Sequence, residues 1–249
     1  MKRFVIYTSL TAGYDRLPEY GHVDPDFDYI CYTNDYPENC RIGFWTIKKI
    51  PYSSEDNTRL SRYVKMNPHK VLGEYEYSVW IDSNILLNGP EPYVIFKKMI
   101  GGGVLWGAVP HPQVDCIYKD ADLCVKLLRD KYSEIKRQVE FLRSEGYPKN
   151  NGLYENNVII RDHRNTAIQQ ICEEWWKIYC TYTKRDQLSL CYIFWKFNFT
   201  PEDIYPKGVS TFNAPGIQRL HHNKKSIPGR IAVRIKRLAM NIRLRLQPL

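Results

Sequence analysis

The sequence predicts an α/β domain in which a mainly parallel sheet is covered by helices on both faces. Three observations predict it. Short apolar runs rich in β-forming residues recur at 2–8, 27–33, 44–50, 77–82, 104–109 and 157–161. Segments with helical apolar spacing alternate with them at 57–72, 120–143 and 166–182. The chain has 249 residues and is 43% hydrophobic, enough for one sizeable core.

Each element has its own reason. The run KRFVIYT at 2–8 is followed by FDYICYT at 27–33 and FWTIKKI at 44–50, all dense in β-branched and aromatic residues. The helix over 57–72 carries Pro68, which breaks it. The strand 77–82 (YSVWID) is apolar throughout and ends on a carboxylate, Asp82. Gly101–Gly103 reads as a turn. In the helix over 120–143, Cys124, Leu128, Tyr132, Ile135, Val139 and Leu142 line one side, and Gly146 with Pro148 stops it. In the helix over 166–182, Ile168, Ile171, Trp175, Ile178 and Tyr182 point inward. The segment 188–197 is apolar, and its period does not separate helix from strand. A parallel sheet binds ligands at the carboxyl ends of its strands, which directs attention to Thr8, Thr33, Asn34 and Asp82.

Composition narrows the function. The seven cysteines show no C-x-x-C and read as reduced thiols in a cytoplasmic protein. No apolar run reaches the roughly 20 residues of a membrane span, and MKRFVIYTS is too short in apolar residues for a signal segment. The net charge is +9. Nine bases and no acids fall between Arg219 and Leu249, leaving 27 bases (36 − 9) against 27 acids in 1–218. A neutral body argues against nucleic acid as the partner. The excess belongs to a tail, 219–249, distinct from the 1–218 body. Read as a helix, that tail aligns Ile231, Ile235, Leu238, Ile242 and Leu246 between basic shoulders. This is the pattern of a helix lying in the plane of an anionic membrane surface through 227–249.

The familiar nucleotide and hydrolase fingerprints, G-x-G-x-x-G, G-x-x-x-x-G-K-[ST] and G-x-S-x-G, are absent. Three clusters carry the chemistry instead. Asp82-Ser83-Asn84 follows a strand and can offer two oxygens to a hard divalent cation. Arg59, Arg62, Lys65 and His69 recur at 3, 3 and 4 and share one helix face, suited to a diphosphate. Glu155-Asn156 and Asp186-Gln187 place carboxylates and amides at element boundaries, where catalytic groups are often found. Asp186 also reads as a helix N-cap.

Taken together, YTSLTAGYD (7–15), DFDYICYTND (26–35), RLSRYVKMNPHKVL (59–72), YSVWIDSN (77–84), HPQVDCIYKDA (111–121), GLYENNVIIRDH (152–163) and KRDQLSLCYIFWK (184–196) resemble one family. It is the bacterial and plant glycosyltransferase-like family whose plant members are implicated in pectin and mucilage synthesis. The resemblance spans about residues 3–200. More distantly, the chain resembles the lipopolysaccharide galactosyltransferase and glycogenin class, which implies a GT-A-like, Rossmann-like fold and a nucleotide-sugar donor, UDP favoured.

The resemblance assigns roles residue by residue. Asp82 and Asn84 take the Asp-x-Asp metal position for Mn or Mg, completed by His221 or His222. Asn84 departs from that pattern, since an amide is a weaker ligand than a carboxylate. Tyr7, Thr8 and Thr33 lie by the base and ribose. Arg59, Arg62 and Lys65 face the diphosphate, and Ser83 lines the donor site. Asp186 and Gln187 lie under the donor sugar, with Glu155 and Asn156 toward the sugar or acceptor. Asp186 and Glu155 are the catalytic candidates. The implied activity moves a sugar to a hydroxyl of a cell-surface glycan or lipid-linked glycan, from the inner face of the membrane. The alternative is an inactive transferase-like module that binds anionic lipid or polysaccharide.

Overall fold

The computed structural model of the chain describes residues 3–220, 236–237 and 240–244. The strands are β1 (Phe4–Leu10), β2 (Phe27–Thr33), β3 (Arg41–Ile42), β4 (Trp45–Lys48), β5 (Tyr77–Ile81), β6 (Ile85–Leu87), β7 (Trp106–Pro110), β8 (Tyr154–Arg161), β9 (Glu202–Asp203) and β10 (Ile217–Arg219). The helices are α1 (Asn57–Met66), α2 (Pro68–Val71), α3 (Glu91–Gly101), α4 (Ile117–Lys126), α5 (Tyr132–Ser144), α6 (Thr166–Thr181) and α7 (Gln187–Lys196).

Eight strands form one sheet in the order β3-β4-β2-β1-β5-β8-β7-β9. The half from β4 through β5 is parallel, and β8 then runs antiparallel to both β5 and β7. Burial on both faces explains the unbroken apolar runs. In β1, Val5 and Tyr7 join the core on one face, and Ile6 and Leu10 join the core on the other. The first face carries α1 and α4 to α7, and the second carries α3. β6 and β10 pair antiparallel outside the main sheet, which brings the chain at Leu220 back beside Asn84.

Local signals set the helix ends. The Asp56 side chain accepts from Thr58 N (3.0 Å) at the start of α1, and Pro68 opens the short α2 rather than continuing α1. The segment 188–197 is helical, and Asp186 caps it by accepting from Gln187 N at 3.1 Å. The single helix expected over 120–143 is two. Leu128 adopts a left-handed φ of 55°, and Asp130 accepts from the backbone of Lys131 and Lys184 (both 2.7 Å). This turn interrupts the hydrophobic stripe although its periodicity continues. α3 had no expectation in the sequence, and the glycine triplet is its C-terminal cap, with Gly103 at φ 78°.

All seven cysteines are unpaired thiols. No described helix is long and apolar enough to cross a membrane. Residues 240–244 are helical; Met240 and Leu244 pack on the body, and the Arg243 guanidinium lies 4.0 Å from the Tyr132 ring centroid. Ile242, from the expected apolar stripe, is 52% exposed. Ile231, Ile235, Leu238 and Leu246 lie outside the described residues, as do His221 and His222.

Behind the sheet, His163 is buried between Ser78 Oγ (3.1 Å) and the Leu72 carbonyl (2.9 Å). Burial pushes its pKa from 6.5 down to about 4. The unfolded chain therefore binds this proton at a pH where the fold does not. Stability is expected to fall as pH drops from 6.5 toward 4. Urea unfolding of His163→Gln should show a shallower fall over that window than the parent chain, whatever its absolute stability. An unchanged slope would contradict this assignment.

Candidate active site

β5 delivers Asp82 to the carboxyl end of the sheet. Its backbone N–H donates to the Asn157 carbonyl (2.8 Å), and its own carbonyl accepts from Ile85 N (2.9 Å). Trp80, two residues earlier on the same face, donates from Nε1 to Asp82 Oδ1 at 2.7 Å. α1 packs above this strand end and presents Lys65 from its last turn. Lys65 Nζ lies 2.6 Å from Asp186 Oδ2 and 3.3 Å from Asp82 Oδ1. It also sits 5.4 Å from the Trp80 ring centroid. The lysine side chain is 1% exposed, that of Asp186 5%, and that of Asp82 27%. One buried ammonium thus joins a buried carboxylate to a carboxylate that opens toward solvent.

Arg62, one turn before Lys65, brings Nε to 3.3 Å from Asp186 Oδ2. Burial opposes the charge on Asp186, but Lys65, Arg62 and Arg185 outweigh it and hold the carboxyl well below the usual carboxylate range. Burial likewise opposes the Arg62 charge, and Asp186 and Asp82 raise its pKa above the ordinary value. Arg185 donates to Gln187 Oε1, and Gln187 Nε2 donates to the Tyr154 carbonyl at 3.2 Å. The Gln187 amide is therefore fixed in orientation beside Asp186.

The structure brings Arg62, Lys65, Asp82, Asp186 and Gln187 together and directs other candidates elsewhere. Lys65 does not face open space for a diphosphate, because both carboxylates already enclose it. Arg59 turns to the Cys180 carbonyl (3.2 Å), and His69 to Glu173 (3.5 Å). Tyr7 is fully enclosed; its hydroxyl donates to the Lys65 carbonyl (3.3 Å) and accepts from Arg161 at 2.5 Å. Thr8 and Thr33 are also fully buried, Thr33 Oγ1 accepting from Asp35 N at 3.0 Å. Ser83 Oγ donates to Asp15 at 2.7 Å and ties the loop after β1 to the site.

Asn84 donates its amide to the Leu220 carbonyl (3.3 Å), while Leu220 N donates to the Asn84 carbonyl (2.7 Å). Glu155 accepts from Thr211 N (3.1 Å) and Thr211 Oγ1 (3.0 Å), with Arg219 at 4.0 Å. Asn157 donates to the same Thr211 hydroxyl at 2.7 Å. These contacts bind the returning segment 211–220 to the site rim. Asn156 is 4% exposed, yet neither atom of its amide has a hydrogen-bond partner among the described residues. A buried amide left unmet calls for a water or a ligand atom to pair with it.

Sequence reasoning missed Arg161. It is completely buried, with Nη2 donating to the Lys65 carbonyl (2.7 Å) and to Tyr7, and its guanidinium 5.1 Å from the Trp106 ring centroid. It holds the carbonyl end of α1, where a cation is favoured by the helix dipole, and so holds the backbone that carries Lys65. Its position as the last residue of an apolar strand was the one signal available.

The family resemblance implies a divalent cation, and the donor set tests it. Asp82 Oδ1 already accepts from Trp80 and lies beside the Lys65 ammonium, and Asn84, whose N–H₂ donates to Leu220, offers one neutral oxygen in place of a carboxylate. A hard cation takes six or more oxygens. Among the described residues no group of three His, Cys, Asp or Glu could hold a metal. These residues by themselves do not fit a cation cage, and the chemistry below is derived from the protein's own charges.

A half-parallel sheet with paired carboxylates and cations at the carboxyl end of its strands defines an α/β domain with a polar site where such sheets bind their ligands. Residues 27–213 match the TOD1/MUCI70, glycosyltransferase-like domain, and the chain belongs to that family. It is 27% identical over 168 residues to the Arabidopsis thaliana protein named "Probable hexosyltransferase MUCI70". The match covers 61% of this chain and 27% of that protein, so the chain spans about a quarter of its relative's length. Among solved structures, it is similar to the WbbM bifunctional glycosyltransferase in its apo form, at 12% identity and TM-score 0.46, over 82% of this chain and 38% of that one. It is also similar to the galactosyltransferase LgtC in complex with donor and acceptor sugar analogues, at 12% identity and TM-score 0.42, over 76% and 70% of the two chains.

Removing the central cation tests the cluster. Lys65→Met leaves Asp186 buried beside Arg62 and is expected to cost about 3–5 kcal/mol in urea unfolding. Adding Asp186→Asn should recover part of that loss, because the stranded charge is gone. Additive losses would show that the two side chains are not coupled.

Proposed function

We propose that this domain transfers a sugar from a nucleotide-diphosphate sugar, with UDP favoured, to a hydroxyl of a cell-surface glycan of capsule, O-antigen or lipopolysaccharide type. The observation that carries the reading is the Asp82–Lys65–Asp186 bridge at the carboxyl end of the parallel strands, within a chain of glycosyltransferase-like family. The roles follow from the charges. A general base works best with a pKa near the operating pH, and Asp186 is held far below it. Asp186 therefore acts as a fixed negative charge beneath the donor sugar, stabilising an oxocarbenium-like centre. Arg62 reaches the edge of the cluster and favours the departing diphosphate. Asp82 presents its solvent-facing side to the donor, and the unmet Asn156 amide takes a sugar hydroxyl.

The basic segment 227–249 is proposed to rest on an anionic membrane surface on the cytoplasmic side, near a lipid-linked acceptor. Its charge pattern supports this. One observation favours the second reading, an inactive module that binds anionic lipid or polysaccharide: Asn84 is a neutral amide tied to the returning chain, where the family resemblance implies a carboxylate.

Thermal shifts against nucleotide-sugars, with and without manganese, separate the two readings. A donor at a hundred times its Kd stabilises by about 2.7 kcal/mol, roughly 5–10 °C for a chain of this size. A uridine diphosphate sugar is expected to give such a shift, and Asp82→Ala should abolish both it and transfer while the fold persists. No shift with any nucleotide-sugar would favour the inactive module.

A further inference from the structure

α7 is buried at every residue from Leu188 to Phe194, and then leaves Trp195 39% exposed. Four other tryptophans, Trp45, Trp80, Trp106 and Trp175, are fully enclosed. Trp195 packs on Tyr147 and Tyr192, with ring centroids 5.6 and 6.0 Å away, and leaves part of its ring open to solvent. Beside it lies a cavity of about 250 Å³. Tyr154, Phe194, Trp195 and Phe199 give it aromatic walls, and Asn198 and Thr200 give it polar edges. No charged side chain lines it among the described residues.

The turn that closes α7 holds the polar edge in place. Asn198 adopts a left-handed φ of 49° as the residue after the helix C-cap, with Phe199 N donating to the Phe194 carbonyl at 2.9 Å. The exposed Asn198 and Thr200 side chains line the cavity. The opposite wall is tied to the active site, because the Tyr154 carbonyl accepts from Gln187 at 3.2 Å.

We propose that this cavity binds one neutral sugar ring of the acceptor glycan, stacked on Trp195 and hydrogen-bonded by Asn198 and Thr200. The proposal rests on the transferase reading for the identity of its ligand. A sugar ring has an apolar C–H face and a polar rim, and the lining offers both complements. The uncharged walls disfavour a phosphate or an acidic sugar. The volume suits one ring rather than a nucleoside joined to a diphosphate. From Asp186 to Trp195 the helix rises roughly 14 Å, at 1.5 Å per residue. The Trp195 side of the cavity thus lies at the far end of α7 from Asp186. It would hold a unit of the acceptor some way from the reacting hydroxyl, and so contribute to acceptor choice.

Saturation-transfer NMR on the full chain with a panel of neutral methyl hexosides tests this. At least one hexoside is expected to receive saturation, and Trp195→Ala should abolish it without changing the thermal shift given by a nucleotide-sugar. Asn198→Gly removes the amide yet suits the left-handed backbone, so stability should hold while the signal falls several-fold. Transfer to no hexoside, or undiminished transfer in Trp195→Ala, overturns the proposal. Hexoside binding lost in Trp195→Ala, in a chain that no nucleotide-sugar stabilises, would support the cavity and overturn the transferase reading.

Discussion

One buried ammonium organises this molecule. Lys65 lies between Asp186, which α7 uses as its N-cap, and Asp82, which ends β5. A lysine enclosed this fully is tolerated only when paired, and both of its carboxylates come from distant parts of the chain. The contact therefore links the sheet, α1 and α7 at one point. It also separates the two acids by role. Asp186 is held ionised and enclosed, while Asp82 keeps one side toward solvent.

Everything around the ammonium serves its placement. The parallel half of the sheet puts the end of β5 beside β1, and Tyr7 and Trp80 form the floor under Lys65. Arg161 crosses from β8 to hold the carbonyl of Lys65 itself. Among the described residues its partners are carbonyl and hydroxyl oxygens, a thiol and the Trp106 face. On the open side, Glu155 and Asn157 hold Thr211, and Asn84 holds Leu220, so that the returning segment frames the site.

Much of the fold was legible in the sequence, because burial on both faces writes continuous apolar runs and helices write their own period. The strands near 4–10, 27–33 and 77–81 and the helix near 166–181 follow those rules. The break after α4 was not legible, since a left-handed leucine leaves the apolar spacing intact. At the site, Asp82, Asp186, Arg62 and Lys65 were each visible as residues, but their pairing was not. A helix face of three or four bases reads as a surface for an anionic ligand, and nothing in the spacing shows that the protein's own carboxylates occupy it. Arg161 was hidden for the opposite reason: a base at the end of an apolar strand ordinarily points into water.

The most direct test of the account is a pH titration by NMR of the Asp186 side-chain carboxyl carbon, with the Lys65 side chain observed in parallel. Asp186 is expected to stay ionised well below the usual carboxylate range, and its signal to move with that of Lys65 when the cluster finally protonates. An Asp186 that titrates like an ordinary surface carboxylate, with Lys65 indifferent to it, would contradict the bridge on which the site is built.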